Sequence, residues 1–129
     1  MKFTFTCVFL LVFFTGCGSG KQIVTGTVTL DGEPVTNGVI TFVSSEGELV
    51  REGAIIKDGH FQTHVPPGKY KVELSGRKVV GKRKEIGFSG AEEELEITEE
   101  LFPEKFNTTS ELSEEIKSGS NTIKLELKK

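Results

Sequence analysis

Apolar and polar residues alternate along four segments of the chain: 22–30, 60–65, 70–75 and 121–127. In each segment every second residue is Val, Ile, Leu, Phe or Tyr, with few exceptions, and most intervening residues are polar or charged. A period of two is typical of β-strands that bury one face and expose the other. These segments therefore predict strands of a half-buried sheet.

Two further segments predict strands by composition. Residues 39–44 form a nearly continuous apolar run, and the apolar residues 54–56 predict a strand within the stretch from Val50 to Lys57. Asp-Gly pairs at 31–32 and 58–59 are turn signals, the second of which suits a hairpin. Short strands separated by tight turns predict an all-β fold, an antiparallel β-sandwich of seven to eight strands.

Residues 76–100 lack this alternation. A basic group is followed by glutamates from Glu92 to Glu100, and the segment suits a hairpin arm, a helix or a disordered loop. The basic residues are Arg77, Lys78, Lys82, Arg83 and Lys84. We expect the opposite charges to pair with each other, or the basic patch to contact anionic lipid headgroups or an acidic cell-wall polymer. Residues 110–116 also fit either a strand or a helix.

The first 16 residues differ from the rest of the chain. Lys2 precedes an apolar run, Phe3 to Phe14, that is too short for a spanning helix and typical of a signal peptide. Residues 14–17 (FTGC) resemble the lipobox of bacterial lipoproteins, with Phe14 where that motif usually has Leu. The resemblance implies cleavage before Cys17 and attachment of a lipid with palmitate-type chains to its sulfur through a thioether; the alternative is an ordinary signal peptide that leaves a free thiol.

The chain then divides into a signal peptide at 1–16, the acylated Cys17 with a short linker at 17–21, and one domain at 22–129. Cys7 would be removed with the signal peptide, so the mature chain has no partner for a disulfide. Such a protein belongs to the bacterial cell envelope and is held at a membrane by its lipid. Gly18 is not the Asp of an inner-membrane retention signal, which favours the outer membrane.

Composition excludes some functions. The 129 residues carry a formal net charge of -3, and removal of Lys2 makes the mature charge more negative. A general nucleic-acid binder would carry a positive excess, so we expect no nucleic-acid partner.

Three stretches in order carry a family resemblance: 24–42, with Asp31-Gly32-Glu33-Pro34-Val35; 58–72, with Pro66-Pro67-Gly68-Lys69-Tyr70; and 102–127. They resemble carboxypeptidase regulatory-like domains and the small planctomycete-type lipoproteins that contain them. The resemblance implies a transthyretin-like (prealbumin-like), immunoglobulin-like sandwich and a module without catalytic activity.

Catalytic and metal-binding patterns are weak. His60 and His64 are the only histidines, and on a strand they lie roughly 13 Å apart, too far to share a metal ion. No G-x-S-x-G elbow occurs. The C-terminal Tyr-Arg-Gly-Ser signature of the transthyretin-like hydroxyisourate hydrolase is also missing. The sequence therefore predicts no catalytic residue, no metal and no cofactor.

These observations predict a non-enzymatic envelope lipoprotein whose sandwich is a structural or docking module for an envelope protein or a glycan. The alternative is a carrier that binds a small ligand between the sheets or at an oligomer interface. An outward apolar stripe would favour the carrier.

Overall fold

The computed structural model describes residues 20–129, and most of these residues lie in β-strands. The strands are β1 (Gln22–Leu30), β2 (Glu33–Pro34), β3 (Asn37–Ser44), β4 (Arg51–Lys57), β5 (His60–Val65), β6 (Gly68–Ser75), β7 (Arg77–Ile86), β8 (Glu92–Glu100), β9 (Ser113–Ile116) and β10 (Asn121–Leu127). One short 3₁₀ turn covers Glu104–Phe106. The all-β prediction is confirmed. The signal peptide and the lipidation site at Cys17 lie outside the described residues.

The strands form a curled sheet in the order β10-β1-β5-β4-β3-β6-β9, with the short β2 paired to the end of β1. β4 and β5 are paired only at Lys57 and His60, beside their hairpin turn. The sheet therefore folds over at this hairpin into two layers, β10-β1-β5 and β4-β3-β6-β9. Every pairing is antiparallel except that of β1 with β10, which is parallel.

The inner faces of the two layers form the core. Phe42 is fully buried, and its ring centroid lies 6.2 Å from that of Phe61 and 6.3 Å from that of Tyr70. Tyr70 is also buried, and its hydroxyl donates a hydrogen bond of 2.8 Å to the carbonyl of Pro66. Residues predicted from alternation to face inward are the ones that fill this core, because strand periodicity assigns each side chain to one face.

Both Asp-Gly pairs form turns with left-handed backbone. Asp31 and Gly32 have φ of 53° and 84°, and Asp58 and Gly59 have φ of 52° and 79°. Two consecutive positive φ angles match the type I′ turn, whose twist fits that of the flanking strands.

Gly26 allows a close approach at the centre of β1. A Cβ atom there would lie 2.6 Å from Cε1 and Cζ of Phe61 on β5, and would clash with the backbone carbonyl of Ile123 on β10. The missing side chain lets the Phe61 ring lie across β1. This contact joins three strands that are distant in sequence.

The two segments left open by the sequence are both strands. Residues 77–100 form a hairpin of β7 and β8 that belongs to neither layer. We call this hairpin the arm. Residues 113–116 form β9, which pairs with the start of β6. The buried hydroxyl of Ser110 precedes it and donates to the carbonyl of Val72.

The sandwich has two distinct ends. At one, which we call the proximal end, Gln22 begins β1 beside Val65 and the Lys21 ammonium pairs with the carboxylate of Glu52. At the other, the distal end, β1 finishes at Leu30 beside Leu127 of β10. The last residue of β6 pairs near the start of β3, so β6 also ends at the distal end. The arm begins directly after β6.

Candidate functional site

The arm is a free-standing two-stranded ribbon. β7 has 10 residues, which corresponds to a length of roughly 30 Å. Almost every residue of β7 and β8 is exposed, and no strand of the sandwich is hydrogen-bonded to either one. Both outer edges of the arm therefore carry backbone groups without a strand partner among residues 20–129. A β-bulge between Val79 and Gly81 interrupts its register.

Opposite charges pair along the arm. The Lys82 ammonium lies 2.8 Å from a carboxylate oxygen of Glu94, and that of Lys84 lies 3.6 Å from Glu92. Arg83 pairs with Glu85 of its own strand at 2.9 Å. These are exposed pairs, each contributing about 0–1 kcal/mol, so they stabilise the arm only weakly.

The remaining two basic residues lie at the base. The guanidinium of Arg77 donates to the hydroxyl of Thr98 at 3.3 Å, and Lys78 lies opposite Glu99 in the register. The five-residue basic patch of the sequence is therefore divided: Lys82, Arg83 and Lys84 lie along the arm, and Arg77 and Lys78 lie where the arm meets the sandwich.

The base of the arm is held by backbone hydrogen bonds. Leu101 N–H donates to the Gly76 carbonyl at 2.8 Å, which closes the ribbon. The carboxylate of Glu100 accepts from the N–H groups of Gly76 and Phe102, at 2.9 and 3.3 Å. Because the Phe102 side chain is buried in the core, the base is anchored while the strands beyond it are solvated.

The tip of the arm exposes two large apolar side chains. Ile86 is 78% exposed and Phe88 is fully exposed. The turn that holds them is ordered by two backbone hydrogen bonds of 2.9 Å, from Gly87 N–H to the Ala91 carbonyl and from Gly90 N–H to the Gly87 carbonyl. Sequence reasoning missed this tip, since one Phe between glycines carries no periodic signal.

A cleft of about 460 Å³ lies at the distal end, beside the base of the arm. Its charged lining residues are Asp31 and Glu33 from the β1–β2 turn, Arg77 and Lys78 from β7, and the C-terminal Lys129. Cationic and anionic groups are mixed here. The cleft therefore shows no preference for one sign of charge.

The two histidines lie on one strand, four residues apart. His60 and His64 are both exposed on β5, and the N–H and carbonyl groups of that strand belong to its ladder with β1. Among residues 20–129, no cluster of three or more His, Cys, Asp or Glu side chains has the spacing of a metal site.

Some ionisable side chains of the sandwich have pKa values shifted from their ordinary values. Burial, and then the charge of Glu52, raise the pKa of Tyr70 above its ordinary value. A hydrogen bond from Lys71, assisted by Arg51, holds the pKa of Glu73 below the ordinary value. Burial raises the pKa of Glu114. These groups are dispersed over different strands, and they do not form a cluster of acid and base.

The fold and the exposed arm define a class: a small β-sandwich protein that carries a projecting β-hairpin at one end. Residues 16–98 match the model of a family described as "Protein of unknown function (DUF1416)", and the chain belongs to that family. The match covers well over half of the chain and runs from before β1 into β8, two residues short of its end, so it includes nearly all of the arm. No curated protein and no solved structure matches the chain.

Within residues 20–129 no helix has the length and apolar character needed to cross a membrane.

Proposed function

We propose that this protein is a non-enzymatic lipoprotein of the bacterial cell envelope, anchored through Cys17, whose arm docks an envelope protein. The single observation that carries the docking role is the arm itself, a hairpin with a hydrogen-bonded tip that exposes Phe88 and Ile86 and pairs with no strand of the sandwich within residues 20–129. In this proposal the sandwich is a carboxypeptidase regulatory-like module that holds the arm in place.

The positions of the two chain features support this arrangement. The described chain begins at the proximal end, three residues after Cys17, whereas the arm leaves the distal end. β1 alone has nine residues, so the two ends are separated by roughly 26–30 Å. A lipid on Cys17 would place headgroups near the proximal end, away from the basic residues of the arm. This disfavours the headgroup contact considered for Arg77, Lys78, Lys82, Arg83 and Lys84.

The arm has two properties that suit docking of a protein. Its tip is ordered by hydrogen bonds, so a partner that covers Phe88 does not have to immobilise a flexible loop first. Aromatic side chains supply much of the energy of protein interfaces. Its unpaired edges also offer backbone donors and acceptors to an added strand, which is a common way to recruit extended peptides.

The carrier alternative has less support. The space between the two layers is filled by buried side chains, among them Phe42, Phe61 and Tyr70. A ligand between the layers would have to displace them. Binding of a small ligand at an oligomer interface would require copies of the chain to associate. A molecular mass that rises with protein concentration would detect this association.

Photo-crosslinking in living cells tests the docking role. A photoreactive amino acid replaces Phe88 at the tip or, as a matched control, Lys124, an exposed residue on the outer face of β10. We expect one dominant protein adduct at position 88 that is absent at position 124. The adduct should weaken when Ile86→Ser is added, because this change removes the second apolar group of the tip.

Two outcomes would count against the proposal. Equal labelling at positions 88 and 124 would show that the tip is not a preferred surface. Adducts only with lipid or cell-wall glycan at position 88 would exclude a protein partner for the arm. Globomycin treatment tests the anchor separately: accumulation of the unprocessed precursor supports lipidation at Cys17, and unchanged processing contradicts it.

A further inference from the structure

A second cleft, distinct from the arm, lies at the seam between the two layers. It is a shallow cleft, widely open to solvent, with a volume of about 610 Å³. Its walls come from the outer face of β1, β5 and β10, and from Ile55 and Lys57 of β4, with Asp58 at the hairpin turn. We call it the seam cleft.

The seam cleft exists because β4 and β5 separate directly after their hairpin. The two strands pair only at Lys57 and His60. Further along, the hydroxyl of Thr63 donates to the Gly53 carbonyl at 3.3 Å, so a side chain takes the place of a ladder hydrogen bond. β4 and β5, which form walls of the cleft, are each held in place by their other neighbouring strands. The cleft is therefore open without any movement of the core.

Polar groups form a regular grid on one wall. Thr122, Thr25 and Gln62 lie side by side on three adjacent strands, and Thr27 and His60 form the next row. Adjacent strands are about 4.8 Å apart, and successive rows are about 6.6 Å apart. Hydroxyl, amide and imidazole groups are therefore presented at fixed spacings of a few ångströms.

Most of these groups are free to bind a ligand. Thr25 donates a long hydrogen bond of 3.5 Å to the Asn121 carbonyl. The structure of residues 20–129 shows no hydrogen bond from the side chains of Thr27, Thr122, Gln62 or His60. Such a row of donors and acceptors suits a ligand that itself carries several hydroxyl groups.

The remaining residues that line the cleft indicate which chemical class of ligand it would bind. Lys57 and Asp58 contribute one charge of each sign, so the cleft does not select an ion. Ile55 is 71% exposed at its edge and offers an apolar surface to the C–H face of a sugar ring. The volume is within the range of small-molecule sites and accommodates one or two sugar rings. We propose that the seam cleft binds an uncharged saccharide.

The test uses the full chain in a detergent without a sugar headgroup. Saturation-transfer NMR measures binding of cellobiose, maltose, mannobiose and N,N′-diacetylchitobiose, with glucuronic acid and glucosamine as charged comparisons. We expect transfer to at least one neutral disaccharide and weaker transfer to the charged sugars. Because the site is separate from the arm, Phe88→Ser should leave this binding unchanged.

Substitutions in the seam cleft test whether the saccharide binds there. Thr27→Val removes a hydroxyl with little change in shape, and Gln62→Ala removes the amide. Each should weaken binding by about two- to tenfold, as expected for loss of one hydrogen bond. His64→Ala is the matched control, since His64 lies on the same strand and face but outside the cleft. If Gln62→Ala fails to fold, Gln62→Glu takes its place in the test, because it retains the shape of the side chain and adds a charge.

Several results would overturn the proposal. No transfer to any neutral disaccharide at millimolar concentration would exclude it. If the Thr27→Val and Gln62→Ala variants bind a saccharide as tightly as the natural chain does, the saccharide binds elsewhere. The same conclusion follows if His64→Ala weakens binding as much as those two variants do. Stronger transfer to a charged sugar would contradict the uncharged class. None of these outcomes bears on the docking role of the arm.

Discussion

Gly26 offers the sharpest test of how the sandwich is packed. In Gly26→Ala, the new methyl group would overlap the Phe61 ring, 2.6 Å away, and the backbone carbonyl of Ile123. The ring can turn, but the carbonyl belongs to the parallel β1–β10 ladder and moves only with the strand. The substitution should therefore force β10 away from β1.

Two effects of opposite sign determine the size of the change. Overpacking of a buried site costs about 1–3 kcal/mol. Loss of glycine freedom in the unfolded chain offsets about 0.4–1 kcal/mol of that cost. We therefore expect Gly26→Ala to lower the free energy of unfolding by about 1–2 kcal/mol. Gly53→Ala is the matched control, because a Cβ on Gly53 of β4 meets its nearest atom at 3.6 Å, an ordinary contact.

Urea denaturation measures both variants at constant pH, with the slope m monitored to confirm that the unfolded state is unchanged. Gly53→Ala should be as stable as the natural chain or slightly more stable. Adding Phe61→Leu to Gly26→Ala should recover only part of the loss, since the carbonyl contact remains. If Gly26→Ala is as stable as Gly53→Ala, the close approach of β1, β5 and β10 described above is incorrect.

Three further predictions concern the core, alkaline stability and the arm. Phe42→Ala should cost about 3–5 kcal/mol in urea denaturation, whereas Leu49→Ala, at a side chain 79% exposed, should change stability by less than about 0.5 kcal/mol. Burial raises the pKa of Tyr70 above 10.0, so its contribution to stability is complete below pH 10.0 and is lost as the pH rises through the folded-state pKa. Tyr70→Phe should reduce this alkaline loss in unfolding curves recorded between pH 8 and 11.5, and an unchanged pH profile would contradict it. Replacing residues 78–99 with a short Gly-Ser turn should leave the calorimetric Tm within a few degrees, because β7 and β8 pair with each other and with no other strand of residues 20–129, and loss of cooperative unfolding would show instead that the sandwich needs the arm.

The same arm variant serves the functional proposal. Its sandwich should fold and its seam cleft should remain, while the adduct expected at the tip is lost with the tip. Saccharide binding that persists in this variant would separate the two sites experimentally.

Several features of the molecule could be predicted from the sequence because they are local. Alternation assigned the inward faces of β1, β5, β6 and β10, since a strand places every second side chain on one side. The Asp-Gly pairs at 31–32 and 58–59 indicated their turns, because few residue pairs tolerate two positive φ angles. The expected transthyretin-like character of the domain, the lipid on Cys17 and the envelope location stay predictions.

Other features depended on contacts between residues far apart in the chain. β7 and β8 are solvated on both faces, so they carry no alternation, and only the folded hairpin showed that Lys82 forms an ion pair with Glu94. β9 was ambiguous because four residues are too few to distinguish a strand from a helical turn by spacing. The sequence also did not indicate that β10 lies parallel to β1.

The sequence by itself determined which residues face the core, where the tight turns fall, and the overall all-β class. Tertiary structure alone decided where the chain exposes surface: the arm at the distal end, the Phe88 tip, and the seam cleft between β4 and β5. The physical reason is that periodicity reports burial of a residue relative to its immediate neighbours. A cleft or a projecting hairpin arises from how strands separated by many residues meet or part.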